Sequence, residues 1–256
     1  MKIVTVKLQG GLGNQMFQIA TTYAYAKEFN FIPKFDFTKC VTVHQGFSSI
    51  KYKDTLFKNL ISFDCTTTNF INYFKETTHS FDEIPYYEDN LFLDGYFQSE
   101  KYFKNYKKEL RELFSLDYTK ILFFLDSLPQ NKDMTSIHVR RGDYLKFPGI
   151  HDTCSLEYYK NAMDIIGDNI IVSDDIEWCK ENIKGENIYY SPFTDEIDDL
   201  LLISSCKNKI IANSSFSWWG GYLSTVTSKV IAPKKWFGVS GPKEQSDIIP
   251  SNWIKI

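Results

Sequence analysis

Two adjacent arginines stand at the end of a predicted strand, in the segment His138-Val139-Arg140-Arg141-Gly142-Asp143. Neighbouring guanidinium groups repel each other unless an anion neutralises them, and a diphosphate is an anion that arginine binds in bidentate fashion. The alternative is an internal ion-pair cluster in which Asp143 pairs with Arg141. That alternative is weaker for Arg140, because neighbouring side chains of a strand point to opposite faces. We therefore predict an anion site centred on Arg140, with His138, Arg141 and Asp143 beside it.

A glycine-rich turn, Gly10-Gly11-Leu12-Gly13, offers a second place for a phosphate. Glycine lets the backbone approach a ligand closely, and a following helix N-terminus presents free N–H groups. A tight turn without a ligand remains the alternative. A Walker P-loop is excluded, because Gly13 is followed by Asn14-Gln15 instead of lysine and a hydroxyl residue. A dinucleotide fingerprint is weakened by Met16, where a small residue is needed, although Asp36 lies at a suitable distance for a ribose.

Two further polar clusters follow apolar runs that predict strands. Val172-Ser173-Asp174-Asp175 places two carboxylates before a helix, where they would either cap the helix or accept hydrogen bonds from a ribose or a guanine edge. Ser215, Phe216 and Ser217 begin another helix, whose hydroxyls and N–H groups would form a second phosphate site. Trp218 and Trp219 follow them, and composition allows both to be core, both to be a sugar platform, or one of each.

Composition limits the partners and the chemistry. The chain has 256 residues and a net charge of only −3, so it lacks the Lys/Arg excess that is typical of nucleic-acid-binding proteins. The histidines share no metal-ligand spacing, and no Asp-x-Asp pair suggests a Mg-diphosphate clamp. We therefore predict no cofactor and no metal, with arginines neutralising the charge of a leaving group.

Cysteine use and hydropathy bear on location. The five cysteines are scattered and never form a CxxC pair, which is typical of reduced thiols in a cytosol. The apolar run at the start is too short for a signal peptide, and no later run reaches membrane-spanning length. We expect a cytoplasmic protein without an integral membrane segment. Peripheral contact with the inner membrane and the oligomeric state are left open.

The elements that must position these clusters form an α/β pattern. Strands are predicted at 2–8, 31–37, 135–139, 169–172, 189–190, 209–212 and 229–232, with helices at 14–29, 100–114, 119–128, 156–166, 176–182, 195–206 and 217–224. Residues 39–95 are expected to hold short helices and loops. Alternating strands and helices favour a doubly wound parallel sheet, whose ligands bind beyond the carboxyl ends of the strands. The polar stretch 129–133 predicts a boundary between domains 1–130 and 131–256.

Four motifs in order carry a resemblance to a known family. They are Gly10 to Phe17, Asp94 to Phe103, His138 to Asp143, and Ser214 to Gly221. Together they resemble the bacterial α-1,2-fucosyltransferases of glycosyltransferase family 11. The arginine segment is also similar to one that α-1,6- and protein O-fucosyltransferases share.

The resemblance implies a GT-B-like fold of two Rossmann-like domains facing a cleft, with the acceptor side in 1–130 and the donor side in 131–256. It implies GDP-β-L-fucose as donor and inverting transfer to the 2-hydroxyl of a galactose, on a glycan that is often lipid-linked. Arg140 maps to the essential contact with the donor β-phosphate, and Asp174 or Asp175 to the nucleoside contact. The other implied substrate contacts are Gly11, Gly13, Asn14, Gln15, Ser215, Phe216 and Ser217. A catalytic base is not identified, and Asp94, Glu100, Asp36 and the leaving phosphate remain candidates.

Overall fold

The computed structural model describes residues 1–41, 46–65, 70–129, 134–166, 169–185, 187–226 and 229–256. The chain divides into two compact units. The first comprises Met1–Leu116 and Lys243–Pro250, and the second comprises Asp117–Pro242 and Ser251–Ile256. Each unit is built on a parallel sheet with helices, so the predicted α/β class is confirmed.

The first unit contains a four-stranded parallel sheet in the order β2-β1-β4-β3. Its strands are β1 (Ile3–Val6), β2 (Ile32–Lys34), β3 (Asn72–Lys75) and β4 (Leu91–Asp94). Helix α1 (Leu12–Phe29) links β1 to β2, as predicted, and most of its residues are buried. It ends because Asn30 adopts a left-handed conformation, with a φ of 57°.

Residues 39–95 are more ordered than their sequence suggests. They contain 3₁₀ helices at Ser49–Tyr52 and Lys58–Phe63, as well as the two strands β3 and β4. These strands were not predicted, because each is only four residues long and mixes aromatic with polar side chains.

The single helix predicted over 100–114 is wrong. The segment forms 3₁₀ turns at Glu100–Tyr102 and Lys104–Tyr106 and then α2 (Lys107–Leu113). Phe103 separates the turns with a φ of −144°, which a helix does not allow, and its side chain is buried in the core. Burial of this ring therefore overrides the helical pattern of the sequence.

The second unit contains a six-stranded parallel sheet in the order β10-β9-β8-β5-β6-β7. The strands are β5 (Thr135–Val139), β6 (Asn169–Ser173), β7 (Ile188–Tyr190), β8 (Asn208–Ile210), β9 (Val230–Ala232) and β10 (Ile254–Lys255). The helices are α3 (Thr119–Asp126), α4 (Leu156–Met163), α5 (Ile176–Asn182), α6 (Glu196–Ser205) and α7 (Ser215–Leu223). All of these elements except β10 correspond to predicted ones, and the bounds of β5 and α5 agree with prediction at both ends. All five residues of β5 are buried.

The structural division lies between Leu116 and Asp117, not at the predicted position 130, and residues 130–133 lie outside the described residues. Helix α3 belongs to the second unit because it packs against α6 through buried Ile121 and Leu125. Lys120 of α3 also forms an ion pair with Asp198 of α6. The predicted position 130 therefore falls inside the range assigned to the second unit.

The segment Lys243–Pro250 belongs to the first unit, although it lies between the two parts of the second unit in the sequence. Asp247 accepts hydrogen bonds from the Lys101 ammonium at 2.5 Å and from the Phe81 backbone N–H at 3.1 Å. Ile248 and Ile249 are buried. The first unit therefore takes part of its core from the distal end of the sequence.

Two other sequence expectations concern the chain as a whole. All five cysteines are free thiols. Within the described ranges, no helix combines the length and the apolar character that crossing a membrane requires.

The packing of α6 against α7 generates a stability prediction. A Cβ atom added at Gly220 would lie 2.4 Å from Ile203 Cγ2 and 2.8 Å from Ile203 Cβ. Gly220→Ala should therefore lower the free energy of unfolding by about 1–3 kcal/mol through overpacking, measured by urea denaturation.

The matched control is Gly221→Ala in the same helix. Its added Cβ would lie 3.1 Å from the ring of Trp253, a contact that a small shift relieves. Alanine is also the better helix former, so this variant should change stability by less than about 1 kcal/mol. Equal losses at the two positions would contradict the packing argument.

Candidate functional site

The carboxyl ends of β5 and β6 bring the arginine and aspartate motifs together. The two strands pair in parallel, with His138 opposite Val172 and Val139 opposite Ser173. Arg140 and Asp174 are the next residues on each strand, so the register places them side by side. The prediction that these clusters share one sheet edge is confirmed.

The guanidinium of Arg140 lies between two carboxylates. Its Nη2 is 2.7 Å from Asp143 Oδ1, and its Nη1 is 3.2 Å from Asp174 Oδ2. The side chain of Arg140 remains 28% exposed, so the guanidinium is held by the protein and still reachable from solvent. A guanidinium carries five N–H donors, and two carboxylate contacts are therefore compatible with a further bidentate contact to an anion.

The alternative in which Asp143 pairs with Arg141 is wrong in its partner, because Asp143 pairs with Arg140 instead. The chain turns after β5 into a 3₁₀ helix at Tyr144–Lys146, which brings Asp143 back toward the side chain three positions before it.

Arg141 is fixed on the other side of the strand end. Its Nε donates to Asp175 Oδ2 at 3.1 Å, and its guanidinium carbon lies 3.8 Å from the centre of the Trp178 ring. Asp175 Oδ1 also accepts from the Trp178 backbone N–H at 3.3 Å and thereby caps α5. The helix-capping interpretation is therefore confirmed for Asp175, and Arg141 is a structural partner of Asp175.

Asp174 contacts both arginines, since its Oδ1 accepts from the Arg141 backbone N–H at 2.9 Å. A Cβ atom added at Gly142 would lie 2.6 Å from Asp174 Oδ2. The glycine at this position therefore makes room for the carboxylate that holds Arg140.

His138 is buried directly beneath this cluster, with 4% of its surface exposed. Burial lowers the pKa of His138 to about 3, and the positive charge of Arg140 acts in the same direction. Its ring lies 5.4 Å from the ring of Phe216, and the Tyr159 hydroxyl donates to its backbone carbonyl. His138 is therefore a neutral packing residue that joins the end of β5 to the start of α7.

Helix α7 begins at the same sheet edge, after the neighbouring strand β8. Ser215 and Phe216 are partly exposed. Ser217 is fully buried, and its hydroxyl donates to the Ser214 carbonyl at 3.3 Å. The groups of this turn that a ligand could bind are therefore its backbone N–H groups and not the Ser217 hydroxyl. Trp218 and Trp219 are both 0% exposed, which settles the open alternatives in favour of core packing.

The glycine-rich turn of the first unit precedes α1, with Gly11 at the N-cap position. Gly10 has a φ of 77°, a left-handed conformation that favours glycine. Asn14 is 8% exposed, and its Oδ1 accepts from Gln98 Nε2 at 2.7 Å. Gln15 is fully buried and donates to the Gly10 and Phe47 carbonyls at 2.9 and 2.8 Å. Gln15 thus holds the turn from inside, whereas Gly11 and Gly13 begin the helix.

The three predicted base candidates have different environments in the first unit. Burial alone would raise the pKa of Asp36, but hydrogen bonds from Thr38 and Lys39 lower it overall. Asp94 accepts from the Tyr73 hydroxyl at 2.5 Å and lies 3.8 Å from the Lys7 ammonium. Burial raises the pKa of Glu100.

Sequence reasoning missed Glu76, which follows β3 at the same edge of the first sheet. Burial raises its pKa to about 7, although two backbone N–H groups hydrogen-bond to the carboxylate and act against that shift. A polar residue directly after a strand is the signal that would have revealed it, but β3 itself was not predicted.

The structure also allows a search for side chains that could bind a metal ion. Among the residues that the structure describes, no group of three or more His, Cys, Asp or Glu side chains could hold a metal ion.

Two parallel α/β sheets, with the arginine cluster at the carboxyl edge of the second, define a GT-B-type α/β protein. The chain belongs to glycosyltransferase family 11, whose sequence profile matches residues 1–256. The resemblance stated from its motifs is therefore confirmed.

Two bacterial relatives match nearly the whole length of the chain, and an animal relative matches most of it. An alpha-1,2-colitosyltransferase of Escherichia coli is 32% identical over 100% of this chain and 99% of its own length. The O-antigen biosynthesis glycosyltransferase WbnK of Escherichia coli is 26% identical over 97% and 99%. A galactoside alpha-(1,2)-fucosyltransferase 2 of Oryctolagus cuniculus is 25% identical over 86% of this chain and 66% of its own length.

The fold also matches a solved structure, the NodZ alpha-1,6-fucosyltransferase soaked with GDP-fucose. The TM-score is 0.52 at 12% identity, over 94% of this chain and 97% of that one. At this identity the match supports the fold.

The buried imidazole generates a prediction on pH. Because the pKa of His138 falls from 6.5 to about 3 on folding, the unfolded chain binds more protons between these values. The stability that His138 contributes should be present above pH 6.5 and be lost progressively as the pH falls toward 3. Urea denaturation from pH 8 to pH 4 should show a smaller acid loss in His138→Asn than in the unchanged protein.

Imidazole NMR provides the direct check. The His138 ring should remain neutral from pH 5 to pH 8, and a titration midpoint within that range would contradict its burial beneath Arg140.

Proposed function

We propose that this protein is an inverting, metal-independent glycosyltransferase that moves L-fucose from GDP-β-L-fucose to the 2-hydroxyl of a galactose on a glycan. Membership of glycosyltransferase family 11 supports the reaction class. A 2-fucosyltransferase among the relatives supports the sugar and the linkage. The name of the WbnK relative supports an acceptor in O-antigen synthesis. A terminal galactose on a lipid-linked glycan, and a cytoplasmic location with peripheral membrane contact, belong to the same proposal.

The observation that carries the proposal is the position of the Arg140 guanidinium. It is fixed by Asp143 and Asp174, is 28% exposed, and lies at the edge where α7 begins. The contact between His138 and Phe216 brings the first turn of α7 next to the end of β5. The guanidinium and the helix N-terminus at this edge offer N–H donors that suit a diphosphate.

The chemistry then requires stabilisation of a departing anion. The bond between the sugar C1 and the GDP β-phosphate oxygen breaks, and the electron pair leaves with GDP. The acceptor 2-hydroxyl forms the new bond to C1 from the opposite face and gives its proton to a base or to the leaving phosphate. Arg140 would act on the charge that develops on the phosphate, where preorganised donors contribute most. We assign it as the catalytic residue.

The neighbouring polar residues receive supporting roles. Asp143 and Asp174 orient Arg140, and Asp175 orients Arg141 through its ion pair. The nucleoside contact is assigned to the Asp174–Asp175 turn. Backbone N–H groups of Ser215, Phe216 and Ser217 and the turn at Gly11, Gly13 and Asn14 are assigned to substrate contacts.

The donor sugar is the part of the proposal that a relative challenges. One relative is named for the transfer of colitose, which is L-fucose without its 3-hydroxyl. A site that hydrogen-bonds the 3-hydroxyl rejects the deoxy sugar strongly, whereas an apolar site distinguishes the two sugars weakly. Donor choice therefore depends on the few atoms around C3.

Two alternatives from the sequence remain testable beside this proposal. A dinucleotide-dependent enzyme would use the glycine turn and Asp36, but the Asp36 carboxylate already accepts from the Thr38 N–H and hydroxyl. A non-catalytic nucleotide-sugar-binding module would bind GDP without turnover. Thermal shift with GDP and with NAD separates the first alternative, and turnover separates the second.

Arg140→Ala should lower the transfer of labelled fucose by at least about 100- to 1,000-fold, because the leaving diphosphate loses its principal charge partner. Arg140→Lys keeps the charge that Asp143 and Asp174 require, so it serves as the folded control for stability. It should still be strongly impaired, because lysine does not bind bidentately.

Lys146→Ala is the matched control for the loss of a positive charge, since this exposed lysine lies six positions after Arg140 in the sequence. Its transfer rate should be unchanged. Near-normal turnover in Arg140→Ala would refute the catalytic assignment.

A donor and acceptor panel tests the finer proposal. The protein should transfer from GDP-L-fucose to galactose-terminated oligosaccharides, with an α-1,2 linkage in the product NMR spectrum, and a 2-deoxygalactose acceptor should be inert. EDTA should leave the rate intact, because arginine replaces the metal. Preference for the 3-deoxy donor would replace fucose with colitose in the proposal, and loss with EDTA that Mg²⁺ restores would contradict metal independence.

A further inference from the structure

The carboxylate of Glu76 is built into the first unit beside the Asp94–Phe103 motif. Strands β3 and β4 pair with Lys75 opposite Asp94, and the Glu76 backbone N–H continues the ladder to the Asp94 carbonyl at 2.9 Å. This register places the Glu76 side chain next to the turn that follows β4. A Cβ atom added at Gly95 would lie 2.5 Å from Glu76 Cβ, so glycine at 95 leaves room for the glutamate.

Both oxygens of Glu76 accept hydrogen bonds from consecutive backbone groups. Oε2 accepts from the Tyr96 N–H at 2.6 Å, and Oε1 accepts from the Phe97 N–H at 3.0 Å. Phe97 has a φ of 53°, which is strained for a bulky residue. Charge-assisted hydrogen bonds from two successive N–H groups offset such strain and fix the turn in one conformation.

The turn at residues 96–98 contacts the start of α1. Phe97 is fully buried against Phe74 and Tyr102, and the next residue, Gln98, is 7% exposed. Gln98 Nε2 donates to Asn14 Oδ1 at 2.7 Å. A continuous chain of contacts therefore runs from Glu76 through the 96–98 backbone to Asn14 in the glycine-rich motif.

We propose that Glu76 is a positioning residue for glycosyl transfer. Its carboxylate sets the backbone of residues 96–98, and Gln98 passes that geometry to Asn14 at the N-terminus of α1. The inference rests on the proposed function only in that turnover is one of its two readouts.

Protonation of Glu76 would weaken this clamp. Burial is the largest cause that raises its pKa to about 7, and the carboxylates of Asp82 and Asp94 raise it further, against the two backbone hydrogen bonds. The ionisable Tyr96 and Tyr102 also lie in its field. A protonated carboxyl turns one acceptor into a donor, so it satisfies only one of the two N–H groups.

Protonation of Glu76 has the opposite effect on the stability of the folded protein. Because the folded pKa of Glu76 lies above its ordinary value, the folded chain binds the proton more tightly between pH 7 and pH 4.5. Protonating Glu76 therefore favours folding while it loosens the turn. A loss of turnover below pH 7 that arises here would come without unfolding, which distinguishes positioning from a merely structural role.

The first experiment is NMR of the backbone amides of Tyr96 and Phe97 in the full chain. Both proton shifts should titrate together with a midpoint near pH 7 in the unchanged protein. The titration should vanish in Glu76→Gln and persist in Asp82→Asn, which removes a neighbouring carboxylate that does not bind these amides. Amides that fail to titrate, or that titrate equally in Glu76→Gln, would overturn the proposal.

The second experiment is kinetic and uses the nucleotide sugar that the protein turns over. Glu76→Gln should lower kcat about 10- to 100-fold by misplacing the turn, while circular dichroism shows a folded protein. Asp82→Asn should keep its rate. Gln98→Ala should cause a comparable loss, and the double variant should be no worse than either single one, because the two residues act along one path.

If the losses of kcat in the two single variants add in the double variant, the proposal that Glu76 acts through Gln98 is wrong. If the unchanged protein turns over no GDP-linked sugar, the proposed function fails, whereas the amide titration still decides the role of Glu76.

Discussion

The positive charge of Arg140, placed at the end of a strand buried over all five of its residues, is the constraint on which the second unit depends. A guanidinium at such an edge must be compensated, and two carboxylates do so from different segments. The parallel register of β5 and β6 supplies Asp174, and a 3₁₀ turn supplies Asp143. Gly142 leaves the space that Asp174 occupies. The residues around Arg140 are thus explained by the need to hold its positive charge where an anion can reach it.

The first unit solves a related problem with the opposite sign. Glu76 is a partly buried carboxylate at a strand end, yet its direct partners are backbone N–H groups and not an arginine. Burial raises the pKa of Glu76 to about 7, and the two backbone N–H groups offset that shift only in part. The carboxylate of Glu76 is therefore close to losing its charge near neutral pH.

Sequence reasoning succeeded where local pattern and tertiary structure agree. The strand Thr135–Val139 and the capped helix Ile176–Asn182 were predicted with their observed bounds, and the four motifs identified the family. It failed where contacts distant in sequence decide the outcome. Strands β3 and β4 are too short to be recognised alone, and the partner of each arginine follows from a turn and a register. Glu76 could not be found because the strand that positions it was not predicted.

The return of Lys243–Pro250 to the first unit has a consequence for biosynthesis. During translation the ribosome completes the second sheet up to β9 before it adds Asp247, Ile248 and Ile249. Most of the first unit is therefore translated before its last core residues. Until then, Lys101 and the Phe81 N–H lack the contacts that they make to Asp247 in the folded protein. A nascent chain halted before residue 243 would therefore carry an incomplete first unit, although most of the sequence of that unit has already been translated.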